Sequence, residues 1–167
     1  KLRRPEICGA AETLLIDSKL KDKALELIQP IEKEGCVIKG DDFIKSLNSN
    51  FEKANEEDWS TEYLDKIISV KIVDDVRGAI NHINQYSSNH TETIITENEQ
   101  TFLNFYNSID SAIILKNAST QFADGGEFGF GAEVGISTGK LHPRGPIGLD
   151  QLTTYKYILE GKGQTRK

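Results

Sequence analysis

Two kinds of apolar pattern alternate along the first two thirds of this chain. Short, nearly continuous runs have the length of buried strands, and longer stretches repeat apolar residues at helical spacing. Residues 12–17 (Glu-Thr-Leu-Leu-Ile-Asp) form the first run. Leu20, Ala24, Leu27, Ile28 and Ile31 then mark a helix over residues 19–34, which Pro30 should kink or restart and Gly35 should end. Residues 36–39 predict a second strand. Asp41 and Asp42 predict the start of a helix that reaches Leu47. Residues 48–61 are polar and predict a loop anchored by Trp59.

Residues 66–73 (Lys-Ile-Ile-Ser-Val-Lys-Ile-Val) predict a third strand, and Asp74-Asp75 cap a helix that runs to Tyr86. A strand at 93–96, a helix over 98–108 with Phe102 and Phe105 inward, and a strand over 111–117 follow. Strands that alternate with helices imply an α/β fold, with a mostly parallel sheet and helices on both faces. The alternation then stops. Eight of the fourteen glycines lie between Gly125 and Gly148. Phe122, Phe128, Phe130, Val134, Ile136 and Leu141 are interleaved with them, which suits a packed irregular loop better than a flexible linker. Residues 152–159 are β-branched and aromatic and predict a final strand. The expected division is an α/β domain over 1–117, a Gly-rich segment over 118–149, a C-terminal strand within 150–160 and a polar tail over 161–167.

Composition narrows the class. A chain of 167 residues with 37% hydrophobic content is long enough for one domain with a core. The net charge of −6 argues against a general nucleic-acid binder, so an anionic ligand would need a local basic cluster. No apolar run approaches a membrane span. Two distant cysteines make no disulfide framework, and a reducing cytoplasm is the expected location. The chain has no Met and opens Lys1-Leu2-Arg3-Arg4, so a segment of a longer protein is expected.

Chemistry is sparse. No dinucleotide or P-loop glycine pattern is present, and the three histidines and two cysteines lack zinc-ligand spacing, so no metal is expected. Cys8 is followed by Gly9, Ala10 and Ala11, which let another group approach the sulfur, and Arg3 or Arg4 could favour its thiolate. Taken alone, this segment fits a small buried apolar side chain better. Cys36, inside a strand pattern, reads as core, and His82 reads as structural or solvated.

Longer motifs change that balance. Cys8-Gly9-Ala10-Ala11-Glu12-Thr13-Leu14-Leu15 resembles the nucleophile segment of the gamma-glutamyl phosphate reductase family. Further similar stretches follow in order: Glu62-Tyr63-Leu64-Asp65, Ala79 to Asn84 with Ser88 to Glu92, Asp110-Ser111-Ala112, Asn117-Ala118-Ser119-Thr120, Asp124 through Leu149, and Leu152 to Lys156. The resemblance covers nearly the whole chain. It implies the catalytic domain of an aldehyde-dehydrogenase-like enzyme together with a strand of its oligomerisation region. The domain that holds most of the NADPH would precede Lys1.

The resemblance also implies a reaction and its residues. The family reduces L-glutamyl 5-phosphate to L-glutamate 5-semialdehyde in proline biosynthesis, through a thioester on the cysteine placed here at Cys8. The backbone N–H of Cys8 would contribute to an oxyanion hole. Glu62 would contact the nicotinamide ribose, although Glu56 and Glu57 lie close by and a solvated loop acid is the alternative. Lys140, His142 and Arg144 form the basic cluster suited to substrate phosphate and carboxylate, or else a surface or subunit contact. Ser119 and Thr120 line the substrate site or shape a turn. The expected partners are a small acyl phosphate and, for the full-length protein, further copies of itself, with neither nucleic acid nor membrane. Two alternatives remain: a non-catalytic interaction or structural domain of the same fold, and the reductase half of a bifunctional pyrroline-5-carboxylate synthase.

Overall fold

The computed structural model describes residues 1–141 and 143–166. Five of the expected strands and four helices form, in the expected order. They are β1 (Thr13–Asp17), α1 (Ala24–Lys33), β2 (Val37–Gly40), α2 (Asp42–Leu47), β4 (Ile67–Val73), α3 (Val76–Tyr86), β5 (Thr91–Ile94), α4 (Glu99–Ser108) and β6 (Ile113–Lys116). A two-residue strand missed by the pattern, β3 (Glu52–Lys53), lies within the expected loop. The main sheet runs β1-β4-β2-β3, all parallel, with Leu14 opposite Val70 and Ile38 opposite Ile68. The parallel pair β5-β6 forms a second sheet.

Period-two alternation decides where the helices go. Ile68 and Val70 face one side of β4 and join Ile16, Ile38, Ile28 of α1 and Ile44 of α2 in one apolar core. Full burial of each such side chain contributes about 1.5–3 kcal/mol. Gly40 permits the close seat of α2, because a Cβ there would meet Ile44 Cγ2 at 2.4 Å. On the opposite side α3 packs against β1 and β4, and its Ile80 joins Phe105 of α4, Ile94 of β5 and Ile114 of β6 in a second core. Helices therefore cover both faces, as the alternation implies.

Caps fix the helix starts. Asp41 accepts the Ile44 N–H at 2.9 Å with one carboxylate oxygen and the Ile72 N–H of β4 at 2.8 Å with the other, which ties α2 to the sheet. Asp75 caps α3 through the N–H groups of Arg77 and Gly78. Residues Ser18–Lys23 form a 3₁₀ turn, so α1 begins later than expected, and Pro30 is accommodated inside it.

The C-terminal third is less regular. The Gly-rich segment does hold structure: β7 (Gly135–Ser137) pairs antiparallel with β8 (Gly145–Ile147). However, Phe128, Phe130, Val134 and Leu141 are exposed rather than packed. The anticipated strand over 152–159 has no ladder partner in the described residues. Asp150–Leu152 is a 3₁₀ turn, and Tyr155, Tyr157, Ile158 and Leu159 are exposed. A strand exists only where a neighbour takes its backbone hydrogen bonds, and β-branched composition cannot supply that neighbour.

Candidate active site

Cys8 sits on a tight turn ahead of β1, closed by the Ala10 N–H donating to the Ile7 carbonyl at 2.9 Å. The residue is exposed, whereas Cys36 is buried and packs in the core as expected. The turn rests on the segment after β6. A Cβ on Gly9 would meet the Thr120 carbonyl oxygen at 3.2 Å, so any larger residue would push the two segments apart by a few tenths of an ångström. Gln121 reinforces the contact, with its Nε2 donating to the Arg4 carbonyl at 3.3 Å.

The charged surroundings of the sulfur differ from those expected. Partial desolvation pushes the Cys8 thiol above its ordinary value, and the carboxylates of Glu133 and Glu62 push it further. The backbone N–H groups of Cys8 and Gly9 pull the other way. Those two amides are also suited to hold negative charge that develops on a group bonded to the sulfur. Arg3 and Arg4 are not among the groups that shift it. Burial also lowers His90, whereas Glu62 and Glu133 favour its charged form. Its Nδ1 lies 2.6 Å from Thr91 Oγ1, and its Nε2 is buried without a partner. A neutral imidazole can accept a proton.

Glu133 and His90 were not singled out from sequence. Glu133 falls within the glycine block and is positioned by its Oε2, which accepts the Gly125 N–H at 2.8 Å. Gly125 and Gly148 both press on the Ala132 carbonyl oxygen, which a Cβ at either position would approach to 2.7 Å. Periodicity does not register a side chain fixed by such a loop closure. The sequence signal for His90 is its place in the family-like stretch from Ser88 to Glu92.

Glu62 lies on an exposed loop whose base is anchored below it. Tyr63 donates from its hydroxyl to Asp58 Oδ1 at 2.8 Å and sits 2.8 Å from the fully buried Ser69 Oγ on β4. Asp58 also holds the Asn55 N–H at 2.8 Å. Trp59 stacks edge-on against His82 at 5.3 Å, so the expected aromatic anchor is present and His82 is structural. Leu64, just beyond, has a φ of 53°, a region uncommon for a bulky residue.

The remaining expected site residues divide. Thr120 abuts the nucleophile turn through its carbonyl oxygen, and Ser119 Oγ accepts the Gln121 N–H at 3.2 Å and so shapes the turn after β6. Lys140 and Arg144 are brought together, but on Asp110. Arg144 Nη1 lies 2.7 Å from Asp110 Oδ1, and Lys140 pairs with Oδ2. His142 lies outside the described residues. Among those residues no three metal-ligating side chains converge, and no helix is long and apolar enough to cross a membrane.

A parallel sheet covered on both faces, with a cysteine turn seated against the loop that follows β6, defines an α/β fold of the aldehyde-dehydrogenase type. An acetylating aldehyde dehydrogenase from Geobacillus thermoglucosidasius, 16% identical, superposes on 98% of the chain with a TM-score of 0.70. The crystal structure of gamma-glutamyl phosphate reductase from Thermotoga maritima is closer, with 44% identity and a TM-score of 0.91 over 99% of this chain and 40% of that one. Curated gamma-glutamyl phosphate reductases from Brucella suis and from Bradyrhizobium sp. strain ORS 278 are 57% and 54% identical over 99% of this chain. By sequence and fold the chain belongs to the gamma-glutamyl phosphate reductase family, and it spans about 40% of the length of the relatives it matches. No protein-family model matches it.

Proposed function

We propose that the full-length protein containing this chain reduces L-glutamyl 5-phosphate to L-glutamate 5-semialdehyde with NADPH, and that Cys8 forms the covalent intermediate. One observation carries this reading: an exposed thiol on a closed turn, with its own amides beside the sulfur, seated against Thr120. The thiolate attacks the acyl carbon, the carbon–oxygen bond to phosphate breaks, and phosphate leaves with the electron pair. A thioester on Cys8 results, and splitting the reduction in this way is covalent catalysis. The Cys8 and Gly9 amides stabilise oxyanion character on the acyl oxygen. Reduced nicotinamide, when bound, supplies the hydride that this chemistry needs. Cys8 then departs as thiolate, which frees the aldehyde.

The residues present fit a nicotinamide nucleotide in one respect. Glu62 offers an exposed carboxylate close enough to influence the Cys8 thiol, as a ligand of the nicotinamide ribose must be. The relatives extend well beyond the matched region, and we assign most dinucleotide binding to a corresponding part of the full-length protein. The protein is expected to act in the cytoplasm as an oligomer of identical subunits. The decisive experiment is Cys8→Ser in the full-length protein: NADPH oxidation with the acyl phosphate should vanish while the fold persists. Retained turnover removes Cys8 from the mechanism.

A further inference from the structure

A cavity of about 220 Å³ opens beside the nucleophile turn, lined by Lys1, Arg3, Ser119, Gln121 and Phe122. It is smaller than sites for drug-sized ligands, which span about 300–1,000 Å³, and suits one small group of a substrate. Its walls are the two segments that meet at Gly9, the residue after the thiol. Arg3 precedes the thiol by five residues, and Ser119 and Gln121 flank Thr120, whose carbonyl oxygen abuts Gly9.

The charges in this cavity are one-sided. No carboxylate lines it. Lys1 is already committed to Glu12 at 2.6 Å. Arg3 has no ion pair among the described residues, and its guanidinium offers the planar donor fork that matches oxyanions. The Ser119 hydroxyl accepts from Gln121 and keeps its own proton free to donate. The two carboxylates that influence Cys8 repel an anionic substrate, and Asp110 already pairs with Lys140 and Arg144.

From this geometry we propose that Arg3 and Ser119 form the subsite that holds an oxyanion of the substrate while its acyl carbon is presented to Cys8. The inference rests on the reductase reading above. The substrate carries two such groups, the phosphoryl group and the α-carboxylate, and both are recognised by the same donors.

The test uses the full-length protein and two independent readouts. The first is alkylation of Cys8 by iodoacetamide at fixed pH and ionic strength, with inorganic phosphate titrated in and chloride as control. The second is the oxidative direction, with semialdehyde, phosphate and NADP as substrates. Loss of a charge-assisted contact corresponds to about a tenfold or greater effect. Arg3→Ala should raise both the phosphate concentration that half-protects Cys8 and the KM for phosphate by ~10-fold or more. Arg3→Lys should fall between that variant and the parent. If the KM for semialdehyde rises instead and that for phosphate does not, the subsite stands and holds the α-carboxylate. If neither KM nor protection moves in Arg3→Ala, the subsite is wrong. Failure of the reductase reading is separately visible as a parent protein without Cys8-dependent turnover, because phosphate protection is read without catalysis.

Discussion

Lys39 Nζ lies 2.7 Å from Asp58 Oδ1, and this ion pair sits at the base of the loop that presents Glu62. Asp58 is buried and also accepts from Asn55 and Tyr63, so the carboxylate is the hub of the loop. Lys39 keeps 24% of its side chain exposed, so removing Asp58 leaves a partly solvated charge and orphaned donors, at a cost of about 1–3 kcal/mol. Asp58→Ala should approach that loss in chemical denaturation. An unchanged denaturation midpoint would show that the pair does not hold the loop.

The pH dependence of stability has a defined direction. Burial lowers His82 to about 4, and Lys71 contributes in the same sense. The folded protein therefore keeps His82 neutral, whereas the unfolded chain protonates it near pH 6.5. Stability should be fully present above about pH 6.5 and fall as the pH drops toward 4. Burial of His90 adds in the same direction. His82→Gln should flatten the slope of unfolding free energy against pH in this window; an unaltered slope assigns it to other groups.

Glu133→Gln keeps an oxygen for the Gly125 N–H and removes a charge that raises the Cys8 thiol. More thiolate should then be present near neutrality, and alkylation of Cys8 at pH 7.5 should quicken by ~2–5-fold. A slower reaction would mean that the carboxylate assists the thiol. Preference for Cys8 over Cys36 is uninformative here, because Cys36 is only 4% exposed and access alone explains it.

Gly125→Ala places a methyl carbon 2.7 Å from the Ala132 carbonyl oxygen, a contact backbone must move to relieve. Overpacking of this kind costs about 1–3 kcal/mol. The displaced loop also carries Glu133 away from Cys8. The expected result in the full-length protein is reduced kcat with a modest loss of thermal stability. Wild-type kcat would show that the loop closure does not position the site.

Most of the fold was legible because strands and helices announce themselves by period. The run at 66–73 and the aspartate caps at Asp41 and Asp75 hold to within a residue or two. The short strand β3 was not legible, because two polar residues, Glu52 and Lys53, gain strand character only from pairing with β2. The site was less legible. Cys8 and Glu62 stand out through their motifs, but the side chains that act on the thiol approach from distant segments. The carboxylates that raise the thiol, Glu133 and Glu62, lie far from it along the chain, so sequence proximity does not reveal them. The basic group at Lys140 and Arg144 looked available because its partner, Asp110, lies some thirty residues away.

The unpaired stretch from Leu152 to Leu159 has a bearing on survival as well as on architecture. It offers two tyrosines, an isoleucine and two leucines to water on a backbone that makes no ladder among the described residues. Chaperones and proteases triage chains that display such segments, and modest free-energy differences then alter abundance several-fold. A strand laid beside residues 152–159 in the full-length protein would take these backbone hydrogen bonds and shelter the side chains from that triage.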